Sequence, residues 1–189
     1  ADVLLRQSNR LAKLTSDILE ASKASTGNIP VELSVVDVSE LIRQSVGEYA
    51  ERLAERSIEA VVNAPQPVHA FADGKLLWRI SDNLLSNVYK YAMSGTRLYV
   101  DVKEFGNYAA ITFKNISQSP LNIDSQELTE RFVRGDAARN SDGSGLGLNI
   151  AKSLTELQNG VFEITIDGDL FKIEIRFTLN QIGGQNETN

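Results

Sequence analysis

Two stretches of this 189-residue chain carry side chains whose types and spacing suit an anion bound together with a metal ion. Four of its thirteen glycines, Gly135, Gly143, Gly145 and Gly147, fall within thirteen residues. Glycine lets backbone N–H groups come close to an anion, because no Cβ stands in the way. The run Gly143-Ser144-Gly145-Leu146-Gly147-Leu148 leads straight into a helical pattern, and the first amides and dipole of a helix favour phosphate. Arg131, Arg134 and Arg139 lie just upstream and supply cationic donors. Together these features predict a lid over phosphates. A flexible surface loop with incidental arginines is the plainer alternative for this segment taken alone.

The second stretch is a helical pattern over residues 74–91. With Asn83 set at zero and a turn of about 100° per residue, Asn87 lies near ~40°, Lys90 near ~−20° and Tyr91 near ~80°. The apolar Ile80, Leu84, Leu77 and Val88 occupy roughly 60° to 140° on the same count, so the polar stripe flanks the core-facing stripe. That places the polar side chains at the edge of a core. An asparagine oxygen suits Mg²⁺, a hard cation that keeps several waters and takes few protein ligands. Lys90 could reach phosphate, and Tyr91 could offer its ring to a base or sugar. An exposed polar helix face is the simpler reading of the stripe by itself.

The charge balance narrows the choice of partner. Nineteen basic and 25 acidic residues give a net charge of −6, so a broad basic surface for nucleic acid is not expected, and an anionic ligand needs a local basic pocket. There is no cysteine, which removes disulfides and thiolate metal sites and is compatible with a reducing, cytoplasmic setting. His69 is the only histidine, in the strand-like Val68-His69-Ala70-Phe71-Ala72-Asp73, and reads as a structural or surface residue. No apolar run approaches the ~18 to 20 residues that span a bilayer, and no signal-like start is present, so a soluble chain without membrane contact is expected.

The elements that must position these residues follow from periodicity and breakers. Leu4, Leu11 and Ile18 recur every seven positions, with Leu14 and Ala21 interleaved, which is the seam of a packed helix ended by Gly27 and Pro30. Residues 31–37 alternate like a strand, and Asp37 with Glu40 makes a capping box for a helix to about Arg56. Residues 58–63 and 68–72 read as strands, and Asp73 caps the helix over 74–91. Residues 97–103 and 109–114 form a hairpin around Gly106-Asn107, followed by a helix near 125–132. A helix over 146–158 precedes strands 161–167 and 170–179, joined at Gly168-Asp169. The order predicts an α+β sandwich with helices on one face of a mixed sheet. The domain boundaries expected are an N-terminal helix over 1–26, a globular unit over 31–180 and a disordered tail over 181–189.

In this order, N-L-L-S-N-V-Y-K-Y at 83–91, E-R-F-V-R-G-D at 130–136 and G-S-G-L-G-L at 143–148 resemble the N, F and G2 boxes of sensor histidine kinases. The resemblance covers roughly residues 35–180. It implies the catalytic and ATP-binding domain of two-component systems, with the Bergerat (GHKL) fold. Residues 4–23 resemble the second helix of that family's dimerisation and phosphotransfer hairpin. The resemblance implies ATP and Mg²⁺ as cofactors, with Asn87 as the principal Mg²⁺–ATP ligand and Asn83 in support. It also implies Lys90 on phosphate, Tyr91 along the nucleotide and Arg134 at the terminal phosphate. Phe132 would report lid position, Gly143, Ser144, Gly145 and Gly147 would form the phosphate-facing hinge, and Leu146 and Leu148 would anchor the lid to the core. Implied partners are the phosphoacceptor-histidine helix, a response regulator and a second copy through the N-terminal helix.

The chain departs from the family pattern at two places. Where the family has D-x-G-x-G under the adenine, this chain reads Asn115-Ile116-Ser117-Gln118-Ser119. An amide oxygen still accepts from an exocyclic amine, without the charge that makes such a bond roughly twice as strong. The phosphorylatable histidine of the family, in an H-E or H-D motif, has no counterpart, since alanine follows His69. Related hydrolases use a glutamate one helical turn before the Mg²⁺ asparagine as general base. Here that position is Asn83, which cannot take a proton at neutral pH, so transfer to a docked nucleophile is expected over hydrolysis. A nucleotide- or protein-binding module with an altered adenine site, and an ATPase of the same fold, are the competing readings.

Overall fold

The computed structural model describes residues 2–121 and 145–179. The elements in chain order are α1 (Asp2–Ser25), β1 (Ser34–Asp37), α2 (Val38–Glu48), α3 (Ala50–Glu55), β2 (Glu59–Asn63), β3 (His69–Ala72), α4 (Gly74–Tyr91), β4 (Arg97–Phe105), β5 (Tyr108–Ile116), α5 (Gly147–Glu156), β6 (Val161–Asp167) and β7 (Leu170–Thr178).

Five strands form a mixed sheet in the order β2-β4-β5-β7-β6, in which β2 runs parallel to β4 and the other pairs are antiparallel. The period-2 pattern sets which face is covered. Val100 and Val102 of β4 lie in register with Phe113 and Ile111 of β5, which lie in register with Ile173 and Ile175 of β7, and all are buried, as is Leu98. Onto that face pack Leu77, Ile80, Leu84 and Leu85 of α4 and Ile150, Ala151 and Leu154 of α5. This is the expected α+β sandwich. The other face carries charge. Glu163 stands opposite Glu174, a like-charged pair that is unfavourable alone, and Arg176 bonds both, at 2.7 and 3.4 Å.

Two expectations are corrected here. Residues 31–37 form a strand only from Ser34, and it pairs with β3 in a separate two-stranded antiparallel sheet in which Val35 faces Phe71. The helix expected to run to Arg56 breaks at Tyr49, whose backbone caps α2 and opens α3 while its hydroxyl donates 2.6 Å to Asp82 of α4. Tertiary pull on a buried tyrosine outweighs local helix continuity. Of the Asp37–Glu40 capping box only the N-cap half is present, with Glu40 N donating to Asp37 Oδ1 at 3.0 Å, while the Glu40 carboxylate turns to Arg43 and Gln44.

The N-terminal helix docks by a different face from its leucine seam. Ala21, Ala24 and Asp17 are buried where α1 meets α5 and α4, and Arg79 of α4 grips Glu20 with Nε at 2.9 Å and Nη2 at 2.6 Å. Leu4, Leu11 and Ile18 remain 77%, 63% and 45% exposed. The sequence seam thus splits: Ala21 joins the core and the three seven-spaced residues face away. The helix expected near 125–132 and the tail over 181–189 lie outside the described residues. No helix among those described is long and apolar enough to cross a membrane.

A candidate nucleotide-binding site

Helix α4 is the beam of the site, and both of its ends are fixed. Four amides at a helix start and four carbonyls at its end lack partners within the helix. At the start, Asp73 Oδ1 accepts from Lys75 N and Leu76 N at 2.9 and 3.2 Å, while Oδ2 accepts from Glu32 N at 2.9 Å. Asp73 N in turn donates to the buried Gln158 Oε1 at 2.7 Å, tying α4 to the end of α5. At the far end Val88 O accepts from Ala92 N, and Tyr89 O from Arg56 Nη1 at 2.5 Å. Lys90 O accepts from Gln118 Nε2 at 3.5 Å, and Tyr91 O from Gln118 N at 2.9 Å. All four terminal carbonyls are satisfied, three of them by residues distant in sequence.

Along this beam Asn83, Asn87, Lys90 and Tyr91 are each half-buried, as expected of a stripe beside the core. Asn83 Nδ2 donates to Arg79 O at 2.9 Å, which fixes the amide and leaves Oδ1 pointing outward from that bond. One turn on, Asn87 makes no side-chain hydrogen bond with any described residue. A half-buried amide without a protein partner is suited to an external one. Burial pushes the Lys90 ammonium below the ordinary lysine value, and the nearby Lys13 of α1 adds to the effect. An anion at Lys90 would relieve both penalties.

The start of α5 meets the beam at Asn83. A Cβ on Gly147 would stand 3.4 Å from Asn83 Oδ1, ordinary contact distance, so the α5 start passes directly beside the amide. Gly145 has φ +74°, a conformation that favours glycine. Leu146 and Leu148 are buried in the core, and the N-cap position of α5 is held by Leu146, which has no polar side chain with which to cap. Asp37 and Asp73 cap α2 and α4. Among the described residues, no carboxylate that would repel a phosphate caps the α5 start.

At the other end lies the turn after β5. It is stitched to α4 by Met93 N to Ile116 O at 2.8 Å and by an Ala92–Ser117 bridge. Asn115 shares the covered face of the sheet with Phe113 and is only 6% exposed. Its Nδ2 donates to Ile116 O at 3.2 Å, which leaves Oδ1 as the acceptor. Ser117 Oγ donates to Ser119 O at 2.7 Å, giving the turn a hydroxyl-closed form where the family pattern has glycine.

The structure thus brings Asn83, Asn87, Lys90, Tyr91, Gly145, Leu146, Gly147, Leu148 and Asn115 along one line, from the α5 start to the turn after β5. Phe132, Arg134, Gly143 and Ser144 lie outside the described residues. His69 is exposed on β3, opposite Asp37, away from this line. Sequence reasoning missed Arg56 and Gln118, because nothing local marks a residue that caps a helix ~30 positions away. No group of three His, Asp or Glu side chains that could hold a metal exists among the described residues. An ion here would rest on Asn87 and on the phosphates it accompanies, which fits the sparse protein ligation of Mg²⁺.

A line of polar side chains between a helix start and an amide acceptor on a mixed sheet is an arrangement suited to a nucleotide. A family model described as histidine kinase-, DNA gyrase B- and HSP90-like ATPase matches residues 72–181. The signal transduction histidine-protein kinase BaeS of Escherichia coli K12 is 31% identical over 152 residues, covering 79% of this chain and 32% of that protein. Among solved structures, the Acinetobacter baumannii histidine kinase AdeS superposes with a TM-score of 0.79 at 15% identity, covering 95% of this chain and 84% of the other. Full-length ShkA in complex with AMPPNP gives a TM-score of 0.77 at 23% identity, covering 94% and 38%.

The chain belongs to the family of histidine kinase-, DNA gyrase B- and HSP90-like ATPases, as the ATP-binding catalytic domain of a sensor histidine kinase. It spans 32% to 53% of the length of the first curated relatives it matches.

Proposed function

We propose that this domain binds Mg-ATP along α4 and donates the γ-phosphoryl group to a histidine on a dimerisation helix that is not among its own residues. The observation that carries the reading is Asn87: a half-buried amide without a described partner, one turn from an Asn83 amide held by Arg79 O and faced by Gly147. Mg²⁺ would supply charge neutralisation at the phosphates. Asn87 holds the ion, Asn83 supports it, and Lys90 donates to a phosphate oxygen. The α5 start, with Gly145 and Gly147, offers backbone N–H groups to the phosphates. Arg134 meets the terminal phosphate, while Phe132, Gly143 and Ser144 belong to the covering segment. Asn115 Oδ1 accepts from the adenine amine, and Tyr91 lies along the nucleotide. Asn83 in place of a carboxylate leaves water without a general base, which favours transfer over hydrolysis.

The exposed Leu4, Leu11 and Ile18 form the seam for a second helix of a homodimer, and a response regulator receives the phosphoryl group afterwards. The domain works on the cytoplasmic side of its parent. Calorimetry with Mg-ATP tests the site: wild type binds in the micromolar to millimolar range, and Asn87→Ala loses at least roughly tenfold without loss of fold. Unchanged affinity in Asn87→Ala overturns the assignment. Transfer of labelled γ-phosphate to a separately supplied dimerisation hairpin, with little free phosphate released, supports the kinase reading. Rapid release of phosphate without the hairpin favours the hydrolase.

A further inference from the structure

The two halves of the proposed site sit on different elements, and one side chain outside the site joins them. The phosphate half is on α4 and the base half is the turn over residues 115–119. Arg56, which ends α3, reaches across to both. Its Nη1 donates to Tyr89 O at 2.5 Å and its Nη2 to Ala92 O at 3.0 Å, on either side of Lys90 and Tyr91. The same Nη2 donates to Gln118 Oε1 at 3.1 Å, and Nε donates to Ser94 Oγ at 3.0 Å. Gln118 is thereby oriented: its oxygen faces Arg56, so its Nε2 is turned to Lys90 O and its backbone N–H meets Tyr91 O.

We propose that Arg56 is a positioning residue for the nucleotide: through Gln118 it fixes the height of the base-accepting turn above the helix that carries the phosphate and metal contacts. The inference rests on the reading of Asn115 as the base acceptor. A planar guanidinium is needed because four bonds leave it in three directions within one plane, which an ammonium cannot reproduce. Gln118 cannot hold the span alone, since without Arg56 its amide is free to rotate away from Lys90 O. The backbone stitches at Met93 and Ser117 keep the turn attached, so loss of Arg56 changes its placement rather than unfolding it.

A ligand that touches only one half separates positioning from general weakening. Mg-ATP spans both halves, whereas Mg-tripolyphosphate occupies the phosphate half alone. Titrations of both ligands are carried out on the 189-residue chain and on Arg56→Met, Arg56→Lys, Gln118→Ala and Asn115→Ala, well below each melting temperature. Arg56→Met and Gln118→Ala are expected to weaken Mg-ATP by roughly tenfold and to leave Mg-tripolyphosphate within about twofold, with Arg56→Lys recovering only part of the loss. Equal loss of both ligands, or no loss of either, overturns the inference, and if Arg56→Met fails to fold, Gln118→Ala alone decides it. Should Asn115→Ala leave the ratio of the two affinities unchanged, the base reading falls and this inference falls with it. A ratio shifted by Asn115→Ala but by neither Arg56→Met nor Gln118→Ala sinks the Arg56 inference only.

Discussion

The two ends of α4 are held by opposite means. The N-terminal end is closed by the residue next to it: Asp73 caps its own helix and draws the 26–33 connection onto its carboxylate, while its backbone N–H ties in the end of α5 through Gln158. The C-terminal end, nearest Lys90 and Tyr91, is closed by Arg56 and Gln118, from 33 residues before Tyr89 and 27 after Tyr91. The buried local cap serves stability. The distant, half-exposed cap ties separate elements around a ligand and leaves Asn87 unspent in between.

That contrast makes graded predictions. Asp73→Ala removes three accepted bonds at a buried carboxylate and is expected to cost about 2–3 kcal/mol in urea unfolding; a loss below about 1 kcal/mol would make the local cap no stronger than the distant one. Arg56→Met, half-exposed, is expected to cost about 1–2 kcal/mol in the same measurement. Asn87→Ala is expected to stay within about 0.5 kcal/mol of wild type, because no intramolecular bond is lost, while its Mg-ATP affinity falls. A large stability loss in Asn87→Ala would show that the amide serves the fold.

The last effect is confined to alkaline pH and lies on the flank of α4. Burial, and then the bond to Asp82, raise the Tyr49 hydroxyl from 10.0 to about 12. A raised folded value means that this stabilisation is complete below the unfolded value and disappears as pH rises through the folded one. Stability of the wild type therefore falls between pH 10 and about 12, and Tyr49→Phe flattens that part of the curve when unfolding is followed at a series of alkaline pH values.

What the sequence made legible was what is local. The Asp37 and Asp73 caps, the hairpin at Gly106-Asn107, the alternation of β4 to β7 and the stripe from Asn83 to Tyr91 each lie within one element, and each is present. The break at Tyr49, the β1–β3 pairing and the Arg56–Gln118 clamp depend on residues brought together only by the finished fold. Gln118 stood inside the departing turn over 115–119, yet its type alone gave no sign that it would grip a helix end. In α1 the heptad was legible while its direction was not, because the core takes the small Ala21 and Ala24 and leaves the leucines outward.

The hold on α1 is keyed to one angular setting. At about 1.5 Å per residue the helix is ~36 Å long, and its buried described side chains, Asp17, Ala21 and Ala24, lie in its C-terminal half, turned about 110° from Leu4, Leu11 and Ile18. A twist of one residue would bring Ile18 and Ala21 under Arg79 in place of Asp17 and Glu20, and Ser22 and Ser25 into the seats of the alanines. The guanidinium would then keep only Asp82 of its own helix, so the rod docks in one rotational notch.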